Sequence, residues 1–390
     1  MLSKLTDLFG SRSRGFGQAI ASPKLNLAQL TQRGSRGFGL EITPERLNLA
    51  QLTKQGTNYK LAKLHSLELP AGIFEEGKIV DSPALIEMIS SLLSTHKIRS
   101  KRVATAIPMR EAIIRIIAVP AELNARELRE MVLEHESSLY LPYPREEVDI
   151  DYQKLDIFED IDGIEKTQVL MVATRREITD SYVMTLQQAG LQIDVLEISS
   201  FSLIRTIEEQ LRQFGAKEGV VLVDIEFDST EIVILVNGIP QFSRTIPIGT
   251  FQLQNTLTRA LNFPVERNPK TLQSMAIPVS MGDTSISTQG TNINPGMSAL
   301  MESIGQIADE IKRSIDFYHG QDEDLEIDYL FLVGPGGGLV QLDKFFTERL
   351  SLSAVQIDPI AALSLQVEQE ITPMERSGLA TVLGLSLREV

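Results

Sequence analysis

The sequence predicts an α/β architecture of two α/β domains, the first carrying an inserted α+β subdomain. Three observations lead there. Short apolar runs rich in β-branched residues alternate with stretches of helical periodicity, the order that builds sheets covered by helices. The strand and helix pattern restarts near residue 112, and Gly219 to Gly249 reads as three consecutive strands. At 390 residues the chain has the length of two or three domains, and 43% hydrophobic with 23% charged residues is the composition of an ordinary globular protein.

Met1 to Gly10 sets Leu2, Leu5, Leu8 and Phe9 at helical spacing, which suits either a peg for a partner or membrane surface or a locally packed terminal helix. A tandem repeat follows, in which residues 13–34 recur as residues 35–56 with 14 of 22 positions identical. Two copies fall short of a solenoid, so a local duplication is the simpler reading. Copy two alternates Phe38, Leu40 and Ile42, turns at Thr43-Pro44-Glu45-Arg46 and continues through Leu47 and Leu49, with Tyr59 to Leu69 as a third strand. In copy one Gln18 and Ala19 replace Leu40 and Glu41, and Pro23 interrupts the second strand. Copy two is therefore expected to be the core hairpin, and copy one an extra hairpin or a loosely held arm within segment 1–34.

Asp81-Ser82-Pro83 starts a helix, with a capping side chain and proline in the first turn, and Leu85, Ile86, Met88, Ile89, Leu92 and Leu93 follow at helical spacing, so the helix lies on a sheet. Val103 to Pro108 is the next buried strand, completing the first part of the first domain, residues 35–111. From Ala112 the order is strand, helix (124–139), strand, polar turn (159–165), strand, helix (176–188) and a strand over 191–196. Residues 112–196 thus read as an α+β subdomain inserted before the first domain resumes at 197–218.

The second domain is expected over 219–370. Val220 to Ile225 and Glu231 to Val236 form a hairpin, and Gln241 to Ile246 follows Asn237-Gly238, a strong two-residue turn signal. Asp224 ends a buried strand beside a turn carrying the hydroxyls of Ser229 and Thr230, a way to present an acid to a metal-bound triphosphate while turn N–H groups face its oxygens. Residues 279–297 are a polar loop. A helix over 298–318 keeps Asp309, Glu310, Lys312 and Arg313 on or beside its polar face. The strand Glu326 to Val333 runs into Gly334-Pro335-Gly336-Gly337-Gly338, whose glycines let backbone lie flat against a base or ribose, with a helix behind them. Residues 371–390 form the C-terminal segment.

Asp224, its turn, Thr230, Asn237-Gly238 and Ile246-Pro247-Ile248-Gly249 resemble the second phosphate loop of the actin-like ATPase superfamily. The likeness is nearest to its type IV pilus assembly family, PilM, with the FtsA-like cell-division proteins as neighbours. Gly39 to Thr43 occupies the place of the first phosphate loop, with Glu41 where the family has aspartate and Thr43 where it has glycine; Glu226 likewise stands at a glycine position. The inserted subdomain resembles the one peculiar to the pilus and division members, and Gly378 to Arg388, within 371–390, resembles the helix that returns to close the first domain. Glu197, Phe201 and Leu203 match the family where the first domain resumes, Ser199 replacing a second acid.

The resemblance implies two domains around a nucleotide cleft, with ATP and magnesium as cofactors. Glu41 and Asp224 would hold the ion through water, Thr43, Ser229 and Thr230 would line the phosphates, and Asp309, Lys312, Arg313, Gly334, Gly336, Gly337 and Gly338 would surround the adenosine. No catalytic residue is assigned, and the glycines missing from both phosphate loops point to slow or absent hydrolysis. A plain hairpin with a surface glutamate at 41 and a solvated helix face at 309–313 are the alternative readings. The function implied is an assembly protein at the inner face of the inner membrane. It would bind the N-terminal cytoplasmic tail of PilN, contact the pilus motor ATPases and form a homo-oligomer in some states. The alternatives are an FtsA-like division protein that polymerises at the membrane, or a slow ATPase.

Composition narrows the partners. Fifty-two acidic against 37 basic residues give a net charge of −15, the wrong sign for nucleic acid or an anionic lipid surface. There is no cysteine, hence no disulfide and no thiolate metal site. The four histidines lack metal-ligand spacing, and no run reaches the roughly 18 apolar residues that span a bilayer. No signal peptide is evident, which makes the cytoplasm the expected compartment.

Overall fold

Copy two of the repeat becomes a hairpin because its apolar alternation meets a turn that closes on its own side chain. In the computed structural model, which describes residues 37–389 apart from 57, 161, 265, 266, 268, 269, 274, 280–294, 323, 368 and 369, β1 (Phe38–Ile42) pairs antiparallel with β2 (Arg46–Gln55). The Thr43 hydroxyl accepts from the Arg46 amide at 2.9 Å and donates to the Arg46 carbonyl at 3.1 Å. Segment 1–10, the first repeat copy and most of the polar loop 279–297 lie outside the described residues.

β3 (Asn58–Glu68) lies beside β2, and the ribbon of β4 (Phe74–Glu75) and β5 (Lys78–Ile79) leads to α1 (Ser82–Thr95). The Asp81 carboxylate caps α1 by accepting from the Ala84 amide at 3.0 Å. β6 (Arg102–Ile107) then pairs parallel with β1, whose five residues are all buried.

β7 (Ala112–Pro120), a helical segment over 125–140, β8 (Val148–Glu159) and β9 (Glu165–Arg175) form the insertion, an antiparallel sheet in the order β7-β9-β8. Its core joins Ile117, Val132, Val148, Val169 and Met171. α2 (Arg176–Gln188) leads out of it. β10 (Gln192–Ile198) does not close the insertion, as the sequence suggests, but pairs parallel with β6, so the first sheet runs β10-β6-β1-β2-β3 and the insertion's own sheet ends at Arg175. The physical reason is that β6 offers an open parallel edge, and a helix is the usual crossover onto such an edge.

Two compact units result, one of residues up to Lys54 with Ala62–Arg205 and Gly384–Val390, the other of Gln55–Leu61 and Thr206–Leu383. Gly384–Val390 returns to the first unit, and residues 206–218 lie with the second. The return is tied by a buried ion pair. Within α3 (Ser199–Thr206), both Arg205 terminal nitrogens donate to Glu197 at 2.8 Å, and one also donates to the Gly384 carbonyl at 2.8 Å. Arg388 Nε approaches the same carboxylate at 3.3 Å, and the Ser386 hydroxyl donates to the Ala50 carbonyl at 2.8 Å.

The second unit holds β11 (Glu218–Ile225), β12 (Thr230–Val236) and β13 (Ile239–Ile246), then α4 (Thr250–Ala260) and α5 (Pro295–His319). β14 (Glu326–Val333), α6 (Gly334–Gly337), α7 (Leu342–Leu350), β15 (Ser353–Gln356), α8 (Pro373–Ser377) and α9 (Ala380–Ser386) follow along the chain. The sheet order is β13-β12-β11-β14-β15, with β14 parallel to both β11 and β15. Asn237 and Gly238 both adopt positive φ, the pairing a tight hairpin turn needs. Ile304, Ile307 and Ile311 of α5 join Val221, Val223, Ile232 and Leu253 in one core.

Two outcomes follow from this packing. Arg205→Ala removes both hydrogen bonds that the buried Glu197 carboxylate receives from Arg205, leaving Arg388 Nε at 3.3 Å, and is expected to lower unfolding free energy by about 3 kcal/mol in urea titrations, with a smaller loss when Glu197→Leu accompanies Arg205→Met. Asp151 on β8 is pushed up to about 6 by burial, against the opposing pull of the Tyr152 amide and the Arg129 charge. Its folded value lies above its unfolded one, so its stabilisation is complete below about pH 4 and drains away as pH rises through 6. Asp151→Asn should therefore gain in melting temperature over the unaltered protein as pH is raised from about 4.5 to 7.5.

Candidate functional site

In the second unit, the parallel register of β11 and β14 sets Asp224 level with Val333. The carboxylate and the glycine turn therefore leave the carboxyl ends of adjacent parallel strands, where open α/β sheets collect ligands. Asp224 is only 3% exposed.

Gly334 has φ +75°, and a Cβ there would lie 2.2 Å from Asp224 Oδ1. A Cβ at Gly336 would lie 2.3 Å from Ile225 Cγ2, and one at Gly338 2.4 Å from the Pro373 carbonyl oxygen. These glycines are demanded by the protein's own packing, which wedges the turn between the end of β11 and the start of α8. Gly337 has more room, with its nearest neighbour, the Leu332 carbonyl carbon, at 3.0 Å.

The turn after β11 closes through the Glu226 amide donating to the Ser229 carbonyl at 2.9 Å. The carbonyls of Glu226 and Phe227 accept from the amides of Thr250 and Phe251, each at 2.9 Å. That approach needs a glycine at 249, where a Cβ would meet both carbonyl oxygens at 2.5 Å. The first amides of α4 are thus spent on the turn, so the helix positions the turn rather than offering those N–H groups to an anion. Thr230 donates its hydroxyl to the Ile248 carbonyl at 2.6 Å, and Ser229, buried beside it, faces Asp228 Oδ1 at 3.4 Å. Phe227 stacks on Phe251 at 5.0 Å, and the Arg267 guanidinium lies 4.9 Å from the Phe227 ring centre. No spacing rule marks Arg267 in the sequence.

The ion pairs of the helix residues run to groups other than this cluster. On α5, Asp309 pairs at 3.1 Å with Arg349, in the last turn of α7. Arg313 pairs with Glu310 at 2.9 Å, and Lys312 is exposed on the same helix.

In the first unit Glu41 is buried, which removes the plain surface-glutamate reading. Its Oε2 accepts from Asn48 Nδ2 at 2.9 Å, while Asn48 Oδ1 accepts from the Ser66 hydroxyl at 2.7 Å. Asn48 lies directly opposite Glu41 in the β1–β2 register, a relation that hairpin geometry makes readable once the turn is placed. The Thr43 hydroxyl is engaged in the turn already described. Burial raises the Tyr182 phenol far above its ordinary range, and the charges of Glu111 and Glu41 add to the effect. Among the described residues no helix is long and apolar enough to cross a membrane.

These elements are those of the actin-like ATPase fold. Structures of MreB5 from Spiroplasma citri match with TM-scores of 0.50 (bound to ADP, 11% identity) and 0.51 (bound to AMPPNP, 10% identity), each over 91% of this chain and 96% of that one. The PilM-PilN type IV pilus biogenesis complex matches with a TM-score of 0.75 and 25% identity, over 91% of this chain and 98% of that one. Residues 39–390 fit the profile of the type IV pilus assembly protein PilM, and the chain belongs to that family.

The glycine geometry yields a paired outcome. Gly334→Ala combines a left-handed backbone with a clash against Asp224 and is expected to lower stability by about 2 kcal/mol or more. Gly305→Ala, inside α5 where a Cβ meets nothing within 4 Å, is expected to raise it by about 0.5–1 kcal/mol in the same thermal melts.

Proposed function

We propose that this chain is a nucleotide-binding assembly protein of type IV pilus biogenesis that takes the N-terminal cytoplasmic tail of PilN. The observation that carries the nucleotide part is the placement of Asp224 and the glycine turn at the carboxyl ends of β11 and β14. MreB5, of the same fold, was solved with ADP and with AMPPNP, which supports an adenine nucleotide as the ligand. The partner is proposed from family membership and from the likeness to a PilM-PilN complex.

In this reading Asp224 holds a magnesium ion through water. Among the described residues no group of three or more His, Asp and Glu side chains is gathered as a metal site. Nucleotide oxygens and water therefore complete the ion's shell, as magnesium prefers. The bound ion would neutralise phosphate charge. The turn 226–229 and Thr230 flank the phosphates, and the turn 334–338 meets the adenosine end. Glu41 is the corresponding carboxylate of the first unit, held by Asn48. Asp309, Lys312 and Arg313 are exposed on α5, and the reading does not depend on them or on Thr43. Glu226 at a position the family fills with glycine makes turnover slow. The protein acts on the inner face of the inner membrane, without crossing it, and couples PilN to the pilus motors.

Calorimetric titration with Mg-ATP tests the reading. Binding is expected, with a loss of about tenfold or more on Asp224→Ala and phosphate release well below the roughly 1–100 per second of kinases. A peptide of the PilN tail should bind by fluorescence anisotropy, while duplex DNA and anionic vesicles should not. Absence of ATP binding at millimolar concentration overturns the nucleotide part, and absence of peptide binding with and without ATP overturns the partner.

A further inference from the structure

The glycine turn is held by a side chain that lies outside it. β15 is a four-residue edge strand whose Gln356 stands level with Leu332, one step before the strand end from which the turn springs. The Gln356 amide nitrogen donates to the Gly337 carbonyl at 2.6 Å and to the Leu339 carbonyl at 2.7 Å. Both hydrogens of that NH2 group are used on two carbonyls of one turn. From this geometry we infer that Gln356 is a positioning residue for the adenosine end of the nucleotide, an inference that rests on the nucleotide reading above.

Four of the residues from 334 to 338 are glycine, the residue with the most backbone freedom to lose on ordering. α6 is a single helical turn and leaves its terminal carbonyls without partners inside the helix. Gln356 donates to one of these, the Gly337 carbonyl, and adds a second donor to the Leu339 carbonyl just beyond the helix, which also accepts from the Leu342 amide at 3.2 Å. Because peptide units are planar, each fixed carbonyl also fixes the N–H that follows it.

A second brace acts from the other side. Asp358 accepts from the amides of Ile360 and Ala361 and receives Arg376 Nε at 3.0 Å. Arg376 belongs to α8, whose Pro373 and Met374 lie against Gly338. Gln356 hydrogen-bonds the turn's backbone directly, so it carries preorganisation that would otherwise be an entropic cost of binding.

Substitution separates the donors from the volume. Gln356→Leu keeps the bulk and removes both donors. Gln356→Glu sets an ionised acceptor against two carbonyls at neutral pH and regains one donor when protonated. The experiment titrates the full chain and both variants with Mg-ATP and, separately, with magnesium tripolyphosphate, which lacks the adenosine. Each variant is expected to lose ATP affinity by about tenfold while tripolyphosphate affinity stays within about twofold, and Gln356→Glu should recover ATP binding as pH is lowered from about 7.5 to 5.5. Hydrogen exchange should report faster opening at the amides of 336–339 and no change elsewhere. Unchanged ATP affinity in Gln356→Leu overturns the inference, and so does an equal loss for both ligands accompanied by global loss of exchange protection. An unaltered chain that binds tripolyphosphate but not ATP removes the nucleotide reading itself. In that case intact exchange protection at 336–339 in Gln356→Leu separately disproves the clamp.

Discussion

The parallel register between β11 and β14 is the constraint on which the second unit depends. Val221, Val223, Leu330 and Leu332 are fully buried on these strands, so a shift by one residue would turn core side chains onto the opposite face. With the register set, Asp224 and Val333 are level, and whatever follows Val333 must bend away within one residue of a carboxylate. Only a residue without a Cβ can do so at φ +75°. The close seating of α8 on Gly338 and of Gly336 on Ile225 follows from the same bend. Apolar packing thereby delivers a buried acid to the end of a sheet.

The first unit reaches a similar result by another route. Glu41 is in the interior of the hairpin because Asn48, its cross-strand partner, answers it and is answered in turn by Ser66. The duplicated sequence keeps an asparagine at 26 but has Ala19 in place of the acid, so only copy two carries both members of the pair. A glutamate buried without that amide would carry the desolvation penalty of an unsatisfied carboxylate.

Most of the fold was legible because its strands are long, β-branched and punctuated. β11 to β13 follow from alternating apolar runs and Asn237-Gly238, and β14 with its glycine turn follows from an apolar run ended by four glycines. What escaped depends on distant partners. Nothing local says that β10 joins β6 rather than β9, since pairing is decided by which edge is open. The same holds for Arg205, whose carbonyl partner Gly384 lies 179 residues away. β15 is too short for periodicity to reveal, and Gln356 with it. Asp224 and the glycines were readable as neighbours of a turn, but the reason for the glycines was not. The sequence suggests glycines chosen for a ligand's approach, and the contacts show that a Cβ at 334, 336 or 338 would also collide with Asp224, Ile225 or Pro373. The polar face of α5 was visible as charge pattern alone, and charge pattern does not tell a ligand contact from the ion pairs that Asp309 and Arg313 make.

The bonds that tie the C-terminal return have a consequence for the order of events during synthesis. Gly384 and Ser386 reach back 179 and 336 residues, to Arg205 and Ala50. Leu385 packs on Ala104 and Ala106 of the strand β6. While the ribosome is still adding the second unit, Arg205 and Glu197 already exist but the carbonyl that completes their surroundings does not. The nascent first sheet must wait, partly uncovered, until those last residues emerge. The second unit, contiguous from Thr206 to Leu383 apart from the short segment Gln55–Leu61, can condense as it appears. The half of the molecule made first is thus the half that finishes folding last, and its exposed apolar strands are the stretch a chaperone would meet on the growing chain.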